Sequence, residues 1–189
     1  MTRFLSLLLV PLTLLFLAGC GSSVPETEPP TITPEDLAER HYEPRGGFSY
    51  RPPRDWHVIR NFPGYRFALI GGPEQGGMTP NITFLSEPLE GKRERQFIRT
   101  TVENYFLRFE NFRELSESRF TTSEGLTTYR LEVQSLSQEG FVRQNFYFFF
   151  RDDQVLALVG SGPASHAQEN GRLFDAVAMS FRWETTGDN

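Results

Sequence analysis

The chain has 189 residues, of which 19 are basic, 24 acidic and 26 aromatic, with three histidines and one cysteine. This length predicts one compact domain, and the aromatic content is sufficient for a core. A single cysteine excludes intrachain disulfides and a cysteine-rich zinc site. The net charge of −5 argues against general binding to phosphate backbones, which needs a basic face, so we expect no nucleic-acid partner.

The first nineteen residues have the pattern of a signal peptide. Arg3 is their one charged residue, and an apolar run of 13 residues follows from Phe4 to Phe16. A helix needs about 20 apolar residues to span a bilayer, so this run is too short for a transmembrane anchor. We therefore predict a cleaved signal peptide over residues 1–19.

The next feature is a short motif at the end of that run. Leu17, Ala18, Gly19 and Cys20 resemble the bacterial lipobox, with leucine three residues before the cysteine and small residues between them. The resemblance implies cleavage before Cys20, diacylglycerol on its sulfur and an acylated α-amine, for example with palmitate. Two or three acyl chains hold a protein on a membrane almost irreversibly. The alternative is an ordinary secretory signal with an incidental cysteine.

Residues 20–45 are predicted to be a disordered tether between the acylated cysteine and the domain. They are rich in Pro, Ser, Thr and Glu, and residues 20–44 contain six acidic side chains and one basic. Such a segment buries too little apolar surface to fold, although residues 33–41 have the pattern of one short helix. Residues 45–189 have 17 basic and 18 acidic side chains, which predicts a nearly neutral domain over 46–184 and a tail at 185–189.

The predicted domain is a series of short strands with two helices. Helix 92–109 has Ile98, Val102, Tyr105, Phe106 and Phe109 on one stripe, which predicts that this face packs on the core. The other predicted helix spans 165–179. The predicted strands are 48–50, 56–60, 66–70, 81–85, 118–122, 126–136, 141–151, 154–160 and 181–183.

Two strands are apolar on both faces, from Phe146 to Phe150 and from Val155 to Val159. Strands buried on both faces lie at the centre of a sheet with a layer packed on each side. Short turns between neighbouring strands require antiparallel pairing. The sequence therefore predicts an α+β fold, a three-layer α/β/α sandwich around a largely antiparallel sheet.

Several segments together resemble a known fold. The run from Phe48 to Tyr50, followed by Pro53 and Trp56, resembles the opening of the PsbP/Mog-type fold, which includes the DcrB-like bacterial lipoproteins. Asn81-Ile82-Thr83 before the helix and Ser180-Phe181-Arg182 at the end are similar to its pattern. The resemblance implies an antiparallel sheet flanked by helices and a role without catalysis. In a photosynthetic host it implies an extrinsic partner or assembly helper of photosystem II.

A glycine-rich loop at 71–77 is the candidate partner-binding segment. Loops on a rigid sheet often carry recognition, and we assign Gly72, Gln75 and Gly76 as candidate contacts. The alternative is a mobile surface loop. The segment lacks the Gly-Lys-Ser/Thr of a phosphate cradle.

We find no converging set of catalytic residues in the sequence. His41, His57 and His166 are scattered, and no Gly-x-Ser-x-Gly elbow is present. We predict no catalysis, no cofactor and no metal. The leading hypothesis is a lipid-anchored binding or assembly-helper protein on the periplasmic or thylakoid-lumen side of a bacterial membrane, with a protein partner. The alternatives are a carrier with an apolar pocket between sheet and helix, and an envelope hydrolase.

Overall fold

A computed structural model describes residues 36–184. The predicted signal peptide, the lipobox with Cys20, the tether up to residue 35 and the tail at 185–189 lie outside the described residues. The two helices are α1 (Glu94–Arg108) and α2 (Ala167–Met179). The strands are β1 (His41–Glu43), β2 (Phe48–Tyr50), β3 (His57–Ile59), β4 (Leu69–Gly71), β5 (Asn81–Pro88), β6 (Arg113–Thr121), β7 (Thr127–Ser137), β8 (Gly140–Arg151), β9 (Gln154–Pro163) and β10 (Arg182–Trp183).

The main sheet has seven strands in the order β3-β4-β5-β9-β8-β7-β6. All its neighbouring strands pair antiparallel. Two-residue turns join the longest strands: Gln138 and Glu139 connect β7 to β8, and Asp152 and Asp153 connect β8 to β9. Asp152 in the second turn has a φ of 54°, and the first turn is followed by Gly140 with a φ of 120°. The predicted antiparallel sheet with two helices is confirmed.

The centre of the sheet is apolar on both faces. On β8, Tyr147 and Phe149 belong to the same core as Phe174 of α2. Phe146 and Phe148, which point to the opposite face, belong to a second core with α1. Alternate side chains of one strand therefore fill two separate cores, as expected of a strand that is covered on both sides.

Helix α2 is held close to the sheet by its apolar stripe. Phe174, Val177 and Ala178 recur at spacings of three and four residues and are all buried. A glycine faces the largest of them, because a Cβ on Gly160 would lie 2.3 Å from the Phe174 ring. The predicted start of this helix at residue 165 falls in a 3-10 turn, Ala164–His166, that precedes it.

The predicted boundary between tether and domain is too late in the chain. A second, three-stranded sheet has the order β1-β2-β10, and β1 lies within the segment that was predicted to be disordered. Leu37 is buried and bridges to Pro53, and Glu43 is also buried. The sequence of β1 has no apolar alternation, so only its pairing with the aromatic strand β2 makes it a strand.

Candidate docking surface

Helix α1 packs on the sheet through its first three turns. Phe97 and Ile98 are its buried residues, and Val102 and Tyr105 pack against the same core. The Tyr105 ring meets Phe146 of β8 edge to face, with centroids 5.1 Å apart. Burial raises the pKa of Tyr105 above its ordinary value. The buried face of α1 is centred on Phe97 and Ile98, near the start of the helix. Tyr105 is the last residue of α1 that packs on this core.

The last turn of α1 and the residue that follows it present large apolar side chains to solvent. Phe106 is 67% exposed, Leu107 80% and Phe109 42%. We call these three residues the aromatic tip. The prediction that Phe106 and Phe109 belong to the buried stripe is wrong, because the apolar strip of the sheet ends beneath Tyr105 and leaves the last turn without a core to cover. Clustered exposed apolar groups at one place mark an interaction site more often than isolated ones do.

The aromatic tip is held by contacts behind it. Phe109 stacks on Tyr105 at a centroid distance of 5.1 Å, and Phe106 meets Phe112 edge to face at 6.5 Å. The N–H of Phe109 donates to the carbonyl of Tyr105 and closes the helix. The N–H of Leu136 on β7 donates to the carbonyl of Glu110, at 2.9 Å. The chain directly after the tip is therefore tied to β7, and the rings of Phe106 and Phe109 contact neighbouring aromatic rings.

The charges around the tip are mixed. Arg108 and Arg113 flank it together with Glu103 and Glu110, and all four are exposed. Nearer the start of α1, Arg99 forms an ion pair with Glu114 of β6 at 2.9 Å. The hydrogen bond to Glu114 raises the pKa of Arg99. The surface around the tip is thus apolar at its centre with both signs of charge at its rim.

The predicted partner loop at 71–77 is an ordered hairpin. Gln75 and Met78 exchange both backbone hydrogen bonds, at 2.8 and 3.1 Å, and Gly76 and Gly77 between them have φ of 58° and 86°. Positive φ at both central residues is the requirement of a type I′ turn, which glycine meets without strain. Gly76, the first central residue of this turn, is exposed.

The other two candidate residues of that loop have structural contacts. The amide of Gln75 pairs with the amide of Asn170 in α2, donating at 3.2 Å and accepting at 2.8 Å. Asn170 is buried, so this pair satisfies a polar group inside the fold. A Cβ on Gly72 would lie 2.5 Å from the Trp56 ring, so glycine is needed there for packing. These contacts account for Gly72 and Gln75 without a partner, and whether the loop binds one stays a prediction.

The candidate catalytic and metal-binding residues do not assemble. His57 lies in β3, His166 contacts Ser165 beside α2, and His41 lies in β1. Among residues 36–184, no group of three or more His, Cys, Asp or Glu side chains could hold a metal ion. No helix in the same range is long and apolar enough to cross a membrane.

Solved structures with the same fold come from several organisms. Cyanobacterial PsbP (CyanoP) from Synechocystis sp. PCC 6803 superimposes with a TM-score of 0.55 and 15% identity, over 88% of this chain and 98% of that one. LpqN, involved in cell envelope biogenesis of Mycobacterium tuberculosis, gives 0.56 and 12%, over 76% and 89%. The Saccharomyces cerevisiae Ran-binding protein Mog1p gives 0.53 and 13%, over 78% and 96%. The described domain has the PsbP/Mog-type fold. No protein-family model and no curated protein sequence matches the chain.

This PsbP/Mog-type domain also contains a partly buried polar cluster between β7, β8 and α2. The Tyr147 hydroxyl donates to Asp175 at 2.5 Å, and Arg130 forms an ion pair with the same carboxylate at 3.0 Å. Burial raises the pKa of Asp175 and raises that of Tyr147 well above its ordinary value. Tyr147 is fully buried, so a substrate has no access to its hydroxyl. In the sequence, Arg130 and Tyr147 are positions of predicted strands and Asp175 is a position of a predicted helix, so no local signal joins the three residues.

Proposed function

We propose that this chain is a lipid-anchored, extracytoplasmic helper protein that binds a protein partner through the aromatic tip and has no catalysis of its own. The observation that carries the proposal is the exposure of Phe106 and Leu107 on a scaffold fixed by Tyr105. Interfaces are enriched in aromatic residues at their centres and have polar rims. The two helices would then be the outer layers of a three-layer domain, of which α1 also carries the binding surface.

The charges at the rim favour a protein over a lipid surface as the binding partner of the aromatic tip. Anionic headgroups attract Lys and Arg and repel carboxylates. Glu103 and Glu110 lie beside Arg108 and Arg113 at the tip, so no single sign prevails. A protein partner can match both signs of charge, whereas an anionic bilayer matches one.

The likeness to other proteins of this fold is in keeping with a binding role. Mog1p is a Ran-binding protein, and LpqN is involved in cell envelope biogenesis. In a photosynthetic host, the likeness to cyanobacterial PsbP makes photosystem II the membrane complex to test first.

The apolar-carrier alternative has less support. The apolar cavity between α1 and the sheet has a volume of about 30 Å³ and is lined by side chains that include Phe97, Phe146 and Phe148. A volume of this order holds about one water molecule. Nine of the phenylalanines among residues 36–184 are buried in the two cores. Native mass spectrometry of a carrier would have to show a bound non-protein mass.

The binding role is tested by mild crosslinking of the full chain in native membranes, followed by affinity isolation. We expect the wild-type chain to recover a defined membrane complex. A Phe106→Ser, Leu107→Ser variant should lose that complex while it keeps its unfolding midpoint, because exposed side chains contribute little to stability. Equal recovery by this variant and the wild type would contradict the role of the tip.

The lipid anchor is tested separately. A Cys20→Ser chain should lose the lipid-modified mass and leave the membrane fraction, because the acyl chains provide the attachment. If the variant keeps an unchanged lipid-modified mass, the anchor is not at Cys20. Gly21 after the cysteine lacks the Asp retention signal of some two-membrane bacteria, which favours the outer membrane in such hosts.

A further inference from the structure

Two adjacent cavities at the β1–β2 turn are lined by arginines. The first has a volume of about 290 Å³ and is lined by Arg45, Arg60 and Arg66, among others. The second, of about 200 Å³, is lined by Arg45, Arg66 and Arg151. Both share the Phe67 ring as a wall. Because Arg45 and Arg66 border both cavities, we treat the two as one site and call it the arginine groove.

The groove has an excess of positive charge. None of its four arginines forms a salt bridge with an acidic residue of the described range. Glu43 lines the first cavity, but its carboxylate already accepts hydrogen bonds from His41 Nε2 at 3.1 Å and from the N–H of Ala68 at 3.3 Å. Asp152 in the second cavity lies in an exposed turn. Four guanidinium groups thus face two carboxylates.

Three of the guanidinium groups are held in position by neighbours. Arg151 lies over the Trp183 ring at 4.0 Å and contacts the carbonyls of Gly46 and Gly47 at 3.4 and 3.5 Å. Arg66 lies over Phe67 at 5.3 Å, and Arg60 contacts Nδ1 of His41 at 3.4 Å. Side chains that are positioned in advance lose less conformational entropy when a ligand binds.

We propose that the arginine groove binds the phosphate group of an anionic ligand. The guanidinium fork matches phosphate and carboxylate oxygens in a bidentate manner. Three guanidinium groups line each cavity, and a phosphate monoester, which carries about −1.5 to −2 charge near neutral pH, balances them better than a single carboxylate does. The phosphate belongs either to a small soluble molecule or to a lipid headgroup. The groove is separate from the aromatic tip and does not depend on the proposed partner.

The test is a calorimetric titration of the full chain carrying Cys20→Ser with inorganic phosphate up to millimolar concentrations. We expect saturable binding that Arg45→Gln, Arg66→Gln together weaken about tenfold or more, because charge-assisted hydrogen bonds are lost. The matched control is Arg95→Gln, Arg119→Gln, which removes the same charge from exposed positions of α1 and β6. That control should leave the affinity within about twofold, since exposed charges far from a site are screened by salt.

A second titration distinguishes the two sources of phosphate. It uses vesicles of phosphatidylcholine with and without phosphatidic acid, whose headgroup is a phosphate monoester, and the same two double variants. Vesicle binding that requires phosphatidic acid and is lost in Arg45→Gln, Arg66→Gln identifies a headgroup. Phosphate binding that is lost in this variant, with no such vesicle binding, identifies a soluble ligand. If neither probe binds, or if both double variants weaken binding equally, the proposal is overturned.

Discussion

Helices α1 and α2 are of similar length and cover opposite faces of the same central strands, yet they bury very different shares of their surface. Helix α2 buries five residues, including Phe174 and Val177. Helix α1 is two residues longer and buries only Phe97 and Ile98. Stability alone would not select an exposed Leu107 at the end of α1, because large apolar groups in water stabilise nothing. This difference is expected if α2 serves the fold and the last turn of α1 carries the proposed binding surface.

The largest effect is expected from truncation of the α2 core. Phe174→Ala should lower the free energy of unfolding by about 3–5 kcal/mol, because it leaves a cavity against the sheet. Leu107→Ala on α1 should change it by less than about 0.5 kcal/mol, as at other exposed sites. Urea unfolding measures both. A comparable loss of unfolding free energy from Leu107→Ala would mean that the last turn of α1 is as deeply packed as α2. That result would contradict the difference drawn between the two helices.

Two glycines at the α2 contact should respond in opposite directions. Gly160→Ala should destabilise the fold by about 1–3 kcal/mol, because its Cβ would overlap the Phe174 ring. Gly171→Ala within α2 has its nearest neighbour at 3.5 Å and should stabilise by about 0.5–1 kcal/mol through helix propensity. Thermal unfolding distinguishes the two signs. Stabilisation by Gly160→Ala would show that α2 does not press on the sheet.

The amide pair between Gln75 of the hairpin and Asn170 of α2 tests whether this loop residue has a structural role. Gln75→Ala should cost about 1–3 kcal/mol, because it leaves the buried Asn170 amide without its partner. The control is Glu74→Ala, an exposed change in the same loop. Recovery of the membrane complex should be unaffected once the stability loss is allowed for. If Gln75→Ala instead lost the complex at unchanged stability, the loop would be the partner contact.

The smallest expected effect is a pH dependence from Asp175 on α2. Burial raises the pKa of this carboxyl above its ordinary value of 3.8, so the folded state binds the proton more tightly than the unfolded state does. The resulting stability is present below pH 3.8 and is lost as the pH rises through the folded-state pKa. Asp175→Asn removes this titration, so its stability relative to wild type should increase with pH across that window. Parallel curves would show that the Asp175 pKa is not raised.

Much of the fold could be predicted because its signals are local. Alternation and two-residue turns gave β7, β8 and β9, and the double-faced apolar runs placed β8 and β9 at the centre. The strand β1 could not be predicted, since it has no apolar pattern and depends on β2. Periodicity showed which face of α1 is apolar but not where the sheet beneath it ends, so Phe106 was assigned to the core.

The candidate sites were less predictable because they join distant parts of the chain. The Gln75–Asn170 pair spans 95 positions, and it gave a structural role to a residue that was expected to bind a partner. Arg45 and Arg66 meet Arg151 only after the main sheet and the β1–β2–β10 sheet have assembled. No spacing in the sequence indicates this arrangement, since each arginine alone has the pattern of an exposed loop or turn residue.

The most direct test of the central claim is site-specific photocrosslinking in the native host. A benzoylphenylalanine is placed at Leu107 in the aromatic tip or, as the matched control, at the exposed Gln168 of α2. We expect a discrete protein adduct from position 107, and none from position 168. Equal adducts from both positions, adducts from position 168 alone, or none from position 107 would contradict the assignment of the binding surface to α1.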